Sequence, residues 1–315
     1  MDRELTPTTE TALTEAEPFH LEAIIETSLA HKLTDSTRAM YGRDVAAYED
    51  FAISHHLSSV DVRTFEAWRD DMVLHSPKSP NTINRMMSAV KTTIKKAQQQ
   101  GALSENMAGR FEKTEGVELK ALKSRLKPHN RTRISPEDMR RLCEAPDPHT
   151  LTGKRDRALL AFLASSGARA SEAASLTIGQ IEPRGKNYLV HLQGKTDVEY
   201  REAHLSQTAY QLIMDWIAAR PILCQPIFTS FTGRGGRCNE KAMTEVAVWQ
   251  LVQKYAKQCG LDHLKPHDFR RFLGTQLAKK DIRIAQRALG HKDISVTAKH
   301  YVLDALEPGE TNNLY

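Results

Sequence analysis

Cysteine is scarce in this chain of 315 residues. Cys143, Cys224, Cys238 and Cys259 lie far apart, with no Cys-x-x-Cys pair and no histidine at zinc-finger spacing. A disulfide framework and a structural zinc centre are therefore excluded, and reduced thiols in a cytoplasmic protein are expected. Long apolar runs are missing as well. None approaches the roughly 18 residues that a membrane span requires, and the mean hydropathy is −0.50. The opening segment is acidic and threonine-rich, without the basic and apolar regions of a secretory signal. A nucleotide loop is also lacking: Thr232-Gly233-Arg234-Gly235-Gly236-Arg237 has the glycines but not the following Lys-Ser/Thr. With no carboxylate cluster of the two-metal kind either, the expectation is no cofactor and no metal.

What the chain does have is length for two domains, 40% hydrophobic residues for their cores, and an uneven charge. Residues 1–17 hold five acids against Arg3, and residues 302–315 hold Asp304, Glu307 and Glu310. The whole chain carries +5, so the body 18–301 carries +12. A basic body between acidic tails points to a polyanionic partner, nucleic acid first.

Apolar residues recur at helical spacing through 18–109. The steps are Leu21-Ile24-Ile25-Leu29-Leu33, then Met40-Tyr41-Val45-Tyr48-Phe51, then Val62-Phe65-Trp68-Met72, then Ile83-Met86-Val90-Ile94-Ala97. Four helices with polar connections predict a small bundle. The polar face of the fourth carries Arg85, Lys91 and Lys95, candidates for phosphate contact. Residues 110–133 hold eight bases against three acids, with poor periodicity and Pro128, and read as an exposed basic linker containing Arg131. A second domain over 134–301 opens at Ser135-Pro136, a cap followed by the first helical position. Its helical patterns cover about 136–145, 154–167, 170–177, 207–219, 242–259, 268–280 and 282–289. Residues 187–192 and 199–205 read as strands around a turn at Gly194-Lys195-Thr196-Asp197, with a third short strand near Phe228. The expected fold is mainly α: a helical bundle and a mixed, mostly helical domain with a small antiparallel sheet. Residues 1–17 and 302–315 are expected to be tails.

Four places in the second domain carry chemistry. Arg169 follows an apolar helix, with Glu172 three residues on. Lys195 stands in the hairpin turn. His267 and Arg270 share the first turn of a helix, where an anion is favoured and an arginine adds a bidentate fork. Leu289-Gly290-His291 is followed ten residues later by Tyr301. Taken singly, these read as a turn with an ion pair, a solvent lysine, a capping arrangement and a helix end with a buried tyrosine.

Their order and spacing together resemble the tyrosine recombinase (phage-integrase-like) family, in motif detail over about 134–301, with 18–109 similar to that family's core-binding domain. The resemblance implies a site-specific recombinase, of simple Xer-like build, that cleaves and rejoins DNA through a 3′-phosphotyrosyl bond, for integration, excision or resolution of an element. Tyr301 would be the nucleophile and His267 the base that takes its proton, since a phenol has a pKa near 10. Arg169 and Arg270 would clamp the phosphate, His291 would hydrogen-bond it, and Lys195 would protonate the leaving 5′ oxygen. Glu172 would position Arg169. The implied partners are double-stranded DNA sites and a homotetramer on two such sites, with 302–315 docking on a neighbouring protomer through Leu303, Leu306 and Leu314. The sequence departs from the family pattern at Gln180, Phe272 and Gly274, and by one extra residue between His291 and Tyr301, which would turn a helical tyrosine by about 100°. A type IB topoisomerase-like relaxing enzyme and a non-catalytic site-specific DNA-binding relative stay open as alternatives.

Overall fold

The computed structural model describes residues 21–28, 33–125, 134–185, 187–193, 200–232, 236–291 and 293–301. The chain divides into two compact units, Met1–Asn130 and Arg131–Tyr315.

Among the described residues, the first unit has five helices: α1 (Leu21–Ser28), α2 (Asp35–Ser54), α3 (Val62–His75), α4 (Pro80–Gln99) and α5 (Glu105–Lys113). Helices α2 to α5 start where a short polar side chain can serve an orphaned N–H. Thr34, Asp61, Ser79 and Ser104 accept from the backbone N–H of Thr37, Arg63, Thr82 and Met107. At the start of α1 the Leu21 N–H donates to the Glu49 carboxylate, at 2.7 Å. Helix α4 supplies the centre of the core with Ile83, Met86, Met87, Val90, Ile94 and Ala97, all buried. Against it pack Tyr48, Phe65 and Trp68, whose rings meet edge-on or tilted.

The first unit extends further than the sequence reading allows. Residues 110–125 are not linker. Phe111 is fully buried and stacks on Phe65, with ring centroids 5.1 Å apart. Asn84 brackets Val117, accepting from its N–H at 2.7 Å and donating to its carbonyl at 2.9 Å. Arg125 donates to the Val73 carbonyl at 2.8 Å. These anchors have no regular spacing, because each seats in a different part of the bundle, so no period marks them as core. Residues 126–133, Arg131 among them, lie outside the described residues.

In the second unit the elements run α6 (Pro136–Glu144), α7 (Leu151–Ser166), α8 (Ala170–Ala174), β1 (Ile181–Arg184), β2 (Asn187–Leu192), β3 (Arg201–Leu205), α9 (Gln207–Ala219), β4 (Thr229–Thr232), β5 (Arg237–Ala242), α10 (Glu245–Gln258), α11 (Pro266–Ala278), α12 (Ile282–Leu289) and α13 (Ile294–Tyr301). Helix α7 runs through the core, with Leu159, Leu160, Phe162 and Leu163 fully buried. Its one buried ion pair, Arg155–Asp156, is satisfied all round. Arg155 donates to the Thr229 carbonyl at 2.8 Å, and Asp156 accepts from the Tyr255 hydroxyl at 2.8 Å. Strands β1, β2 and β3 form an antiparallel sheet in that order, with Val190 opposite both Ile181 and Ala203.

Among the described residues, two sheets stand where one was expected. The second, β4–β5, is a hairpin of largely half-exposed polar residues around the glycine-rich segment, so it lacks the apolar alternation that marks a strand. Strand β1 was hidden by Pro183, which an edge strand tolerates. Helix α13 also went unread, although Asp293 marks its start by accepting the Ser295 N–H at 2.8 Å.

Candidate functional site

The site of the second unit is assembled where two helices end. Helix α7 stops at Gly167, in the left-handed region at φ 59°, and α12 stops at Gly290, at φ 65°. Glycine adopts that conformation without penalty, and a helix end presents carbonyls that have no partner within the helix. Arg270 rises from α11 between the two ends, 2% exposed. Its guanidinium donates to the Gly167 carbonyl at 3.0 Å and to the Leu289 carbonyl. A buried cation is thus held by the negative ends of two helix dipoles.

Arg270 also lies 3.3 Å from Nε2 of His291. A guanidinium can only donate, so Nε2 is the acceptor and the ring proton sits on Nδ1. Nδ1 is 2.9 Å from the hydroxyl of Thr297, fully buried on α13, and donates to it. His291 is therefore a neutral imidazole with a defined tautomer, set between α11 and α13.

Past Gly167 the chain buries Ala168 and starts α8 at Arg169. Glu172, 1% exposed, folds back on that turn. Its carboxylate accepts from the Arg169 N–H at 2.7 Å and from the Arg169 guanidinium at 2.7 Å. Arg201, at the start of β3, donates to the same carboxylate at 2.7 Å. Burial alone would raise the Glu172 carboxyl, but Arg201 and then Arg169 outweigh it and hold it below the usual range. Glu172 is thus an anion that orders two arginines, while the Arg169 side chain stays 44% exposed.

His267 occupies the first turn of α11, after Pro266, with its neighbour Asp268 accepting the Lys265 N–H at 2.8 Å and pairing with Arg271. The His267 residue is exposed, yet crowding around its ring, then Arg271 and Arg270, pull its pKa below the ordinary imidazole value. Gln180, at a position where the family pattern differs, closes a local turn. It accepts from the Thr177 N–H at 2.8 Å and donates to the His191 carbonyl at 2.7 Å.

Arg169, Glu172, Arg270 and His291 are therefore brought together, and His267 lies on the same helix as Arg270. Lys195 falls outside the described residues. Tyr301 is the last residue of α13, and its side chain is not described. The residues 302–315 are outside the description as well. Sequence reasoning missed Arg201 and Thr297. A lone arginine opening a strand and a threonine in a short helix carry no local signal of their partners. In the first unit, Arg85 pairs with Asp44, and Lys91 donates to the Thr114 carbonyl at 2.5 Å and to the Glu112 carbonyl at 3.2 Å. Both are used inside that unit. Lys95, its side chain 62% exposed, reaches Glu112 at 3.4 Å.

Two guanidiniums on one buried carboxylate, and a third held between two helix ends, make a cationic cluster in the second unit of a mainly helical chain. Residues 132–307 match the model of the phage integrase family. The chain belongs to that family, the tyrosine recombinases. It is 32% identical over 174 residues to the tyrosine recombinase XerD of Neisseria meningitidis serogroup B, a match covering 53% of this chain and 56% of that protein. The chain thus spans little more than half the length of the first relatives it matches. The XerD of Pseudomonas putida is 28% identical over 280 residues, covering 84% of this chain and 86% of that protein. Among solved structures, the XerH site-specific recombinase in a post-cleavage complex with its difH substrate superposes with a TM-score of 0.67 at 20% identity, over 93% of this chain and 83% of that one. The Tn1549 transposon integrase bound to circular-intermediate DNA gives 0.65 at 18% identity, over 94% and 99%. Likeness at that identity carries the fold. No described helix is long and apolar enough to cross a membrane.

Proposed function

We propose that the protein is a site-specific DNA recombinase that cleaves and rejoins strands through a 3′-phosphotyrosyl intermediate. The observation that carries this reading is the convergence of Arg169, Arg270 and His291 on two helix ends, with His267 beside them. A phosphodiester under attack gathers negative charge on its non-bridging oxygens, and preorganised donors there lower the barrier. Arg169 offers an exposed guanidinium held from behind by Glu172. Arg270, buried between the two helix ends, adds its positive charge behind the phosphate. His291 stands beside them, and to donate to the phosphate its Nε2 takes up a proton from solvent and gives up the contact with Arg270.

The phenol oxygen of Tyr301 attacks phosphorus and its proton passes to His267, which crowding around its ring, and then Arg271 and Arg270, keep biased toward the neutral form and so ready to accept it. The bond to the 5′ oxygen breaks, and that oxygen takes a proton from Lys195. Rejoining runs the same steps in reverse, so no external energy source is required. Positions 297 and 301 are four apart and share a face of α13, and Thr297 is already bonded to His291. Position 301 therefore lies on the helix face that Thr297 turns toward His291.

In this reading the substrates are double-stranded recombination sites, and two such sites are held by a homotetramer joined through residues 302–315. Of the basic residues of α4, Lys95 is the phosphate contact. The test uses suicide DNA substrates, nicked near candidate sites, and a denaturing gel. Wild type should form a covalent protein–DNA adduct, and Tyr301→Phe should form none while still binding the site. An adduct that survives in Tyr301→Phe moves the nucleophile elsewhere. Site-specific binding without any wild-type adduct overturns the enzymatic reading.

A further inference from the structure

We propose that Arg201 is a positioning residue for strand cleavage, coupling the Arg169–Glu172 turn to the corner between α12 and α13 that bears His291. The inference rests on the recombinase reading above and adds a residue to it. Arg201 opens β3, directly after the hairpin segment that carries Lys195. Its guanidinium makes four described contacts, and they reach three separate elements.

Toward α8, Nε and one terminal nitrogen meet the two oxygens of Glu172, at 3.3 and 2.7 Å. That is a fork-on-carboxylate pairing, with its planarity fixed by the guanidinium. Toward the end of α7, the same terminal nitrogen lies 3.4 Å from the Gly167 carbonyl, the acceptor that Arg270 also uses. Toward the end of α12, the other terminal nitrogen donates to the Ala288 carbonyl at 3.2 Å. The side-chain stem lies against Gly290, where a Cβ would come within 3.0 Å of Arg201 Cδ. His291 is the next residue.

Each contact lands on a group one bond or one residue away from something that faces the phosphate. Glu172 holds Arg169. Gly167 holds Arg270. Ala288 and Gly290 flank the Leu289 carbonyl, which also holds Arg270, and lead into His291. Arg201 itself is 12% exposed and is spent on these internal acceptors. It therefore acts through other residues. A small rotation of this one guanidinium would displace Arg169 and His291 together, which links the β3 end of the hairpin to both halves of the phosphate site.

The test is single-turnover cleavage of a suicide site by full-length protein, with binding to the same DNA measured separately. Arg201→Met keeps much of the stem and removes the fork. It should bind the site as wild type does and cleave on the order of 10- to 100-fold more slowly, the loss typical when a group that orients reacting residues is removed. Arg201→Lys keeps a charge on Glu172 but lacks the arms to Gly167 and Ala288, and should fall between the two. Because Arg201 acts partly through Glu172, Arg201→Met combined with Glu172→Gln should lose less than the product of the two single losses. A thermal melt confirms that each variant is folded.

Three results would overturn the proposal: wild-type cleavage by Arg201→Met, loss of binding in proportion to loss of cleavage, or fully multiplicative losses in the double variant. If wild type itself forms no adduct, the recombinase reading fails and not this one alone.

Discussion

Replacing Arg270 by lysine keeps the positive charge and removes the fork. An ammonium is more strongly hydrated than a guanidinium, so burying it costs at least as much, and the lost hydrogen bonds set the smallest loss to expect. In the wild type the guanidinium serves the Gly167 carbonyl, the Leu289 carbonyl and Nε2 of His291 at once. One ammonium on a shorter reach serves one of these. Bonds to a charged donor are worth about 1.5–3 kcal/mol each. Two lost bonds cost about 3 kcal/mol at the low end, which applies here because helix-end carbonyls freed of the larger side chain can take up water. For a unit of this size, each kcal/mol lowers Tm by roughly 2–4 °C, so the transition of the second unit should fall by about 6–12 °C. Differential scanning calorimetry of the full chain measures it. Cleavage of a suicide substrate should fall further, by about 10²–10³, the loss associated with one preorganised donor to a developing oxyanion. A variant with unchanged Tm would refute the claim that Arg270 joins the two helix ends, and a variant that cleaves normally would refute its role at the phosphate.

Two more outcomes follow from the same geometry. Gly167→Ala combines a left-handed backbone at φ 59° with a Cβ 2.9 Å from Leu273 Cδ2, so the second unit should lose about 1–3 kcal/mol by denaturant melt, and an unchanged midpoint would show that the turn can relax. His267 works as a base only when neutral, and its depressed pKa extends the neutral form to lower pH. Single-turnover cleavage should therefore rise with pH through an inflection below 6.5, absent in His267→Gln. An inflection at or above the ordinary imidazole value would contradict the assignment. The linkage has the same sign: this histidine resists protonation in the folded state, so its contribution to stability is present above the ordinary imidazole pKa and is lost as the pH falls.

How much of the protein could be read without coordinates varies with the range of the interaction concerned. The start of α6 was legible because a cap acts within three residues, and Ser135 accepts the Asp138 N–H as its position predicts. Arg169, Glu172, Arg270 and His291, singled out from the sequence, do come together in the fold. The course of 110–125 was not. Phe111 and Val117 are core because of Phe65 and Asn84, which lie far back in the chain, and no periodicity records that.

The amino-acid sequence by itself determined most of the longer helices and which chemical groups are available: one carboxylate close to an arginine, and a histidine and arginine on one helical turn. Tertiary structure alone decided what those groups do to one another. Arg270 meets Gly167 across 103 positions, and Arg201 meets Ala288 across 87. Such bonds depend on where two helices stop relative to a third, a matter of packing and not of local pattern. The tautomer of His291 was settled the same way. An imidazole can carry its proton on either nitrogen, and here a guanidinium that can only donate and a buried hydroxyl that can accept leave one choice.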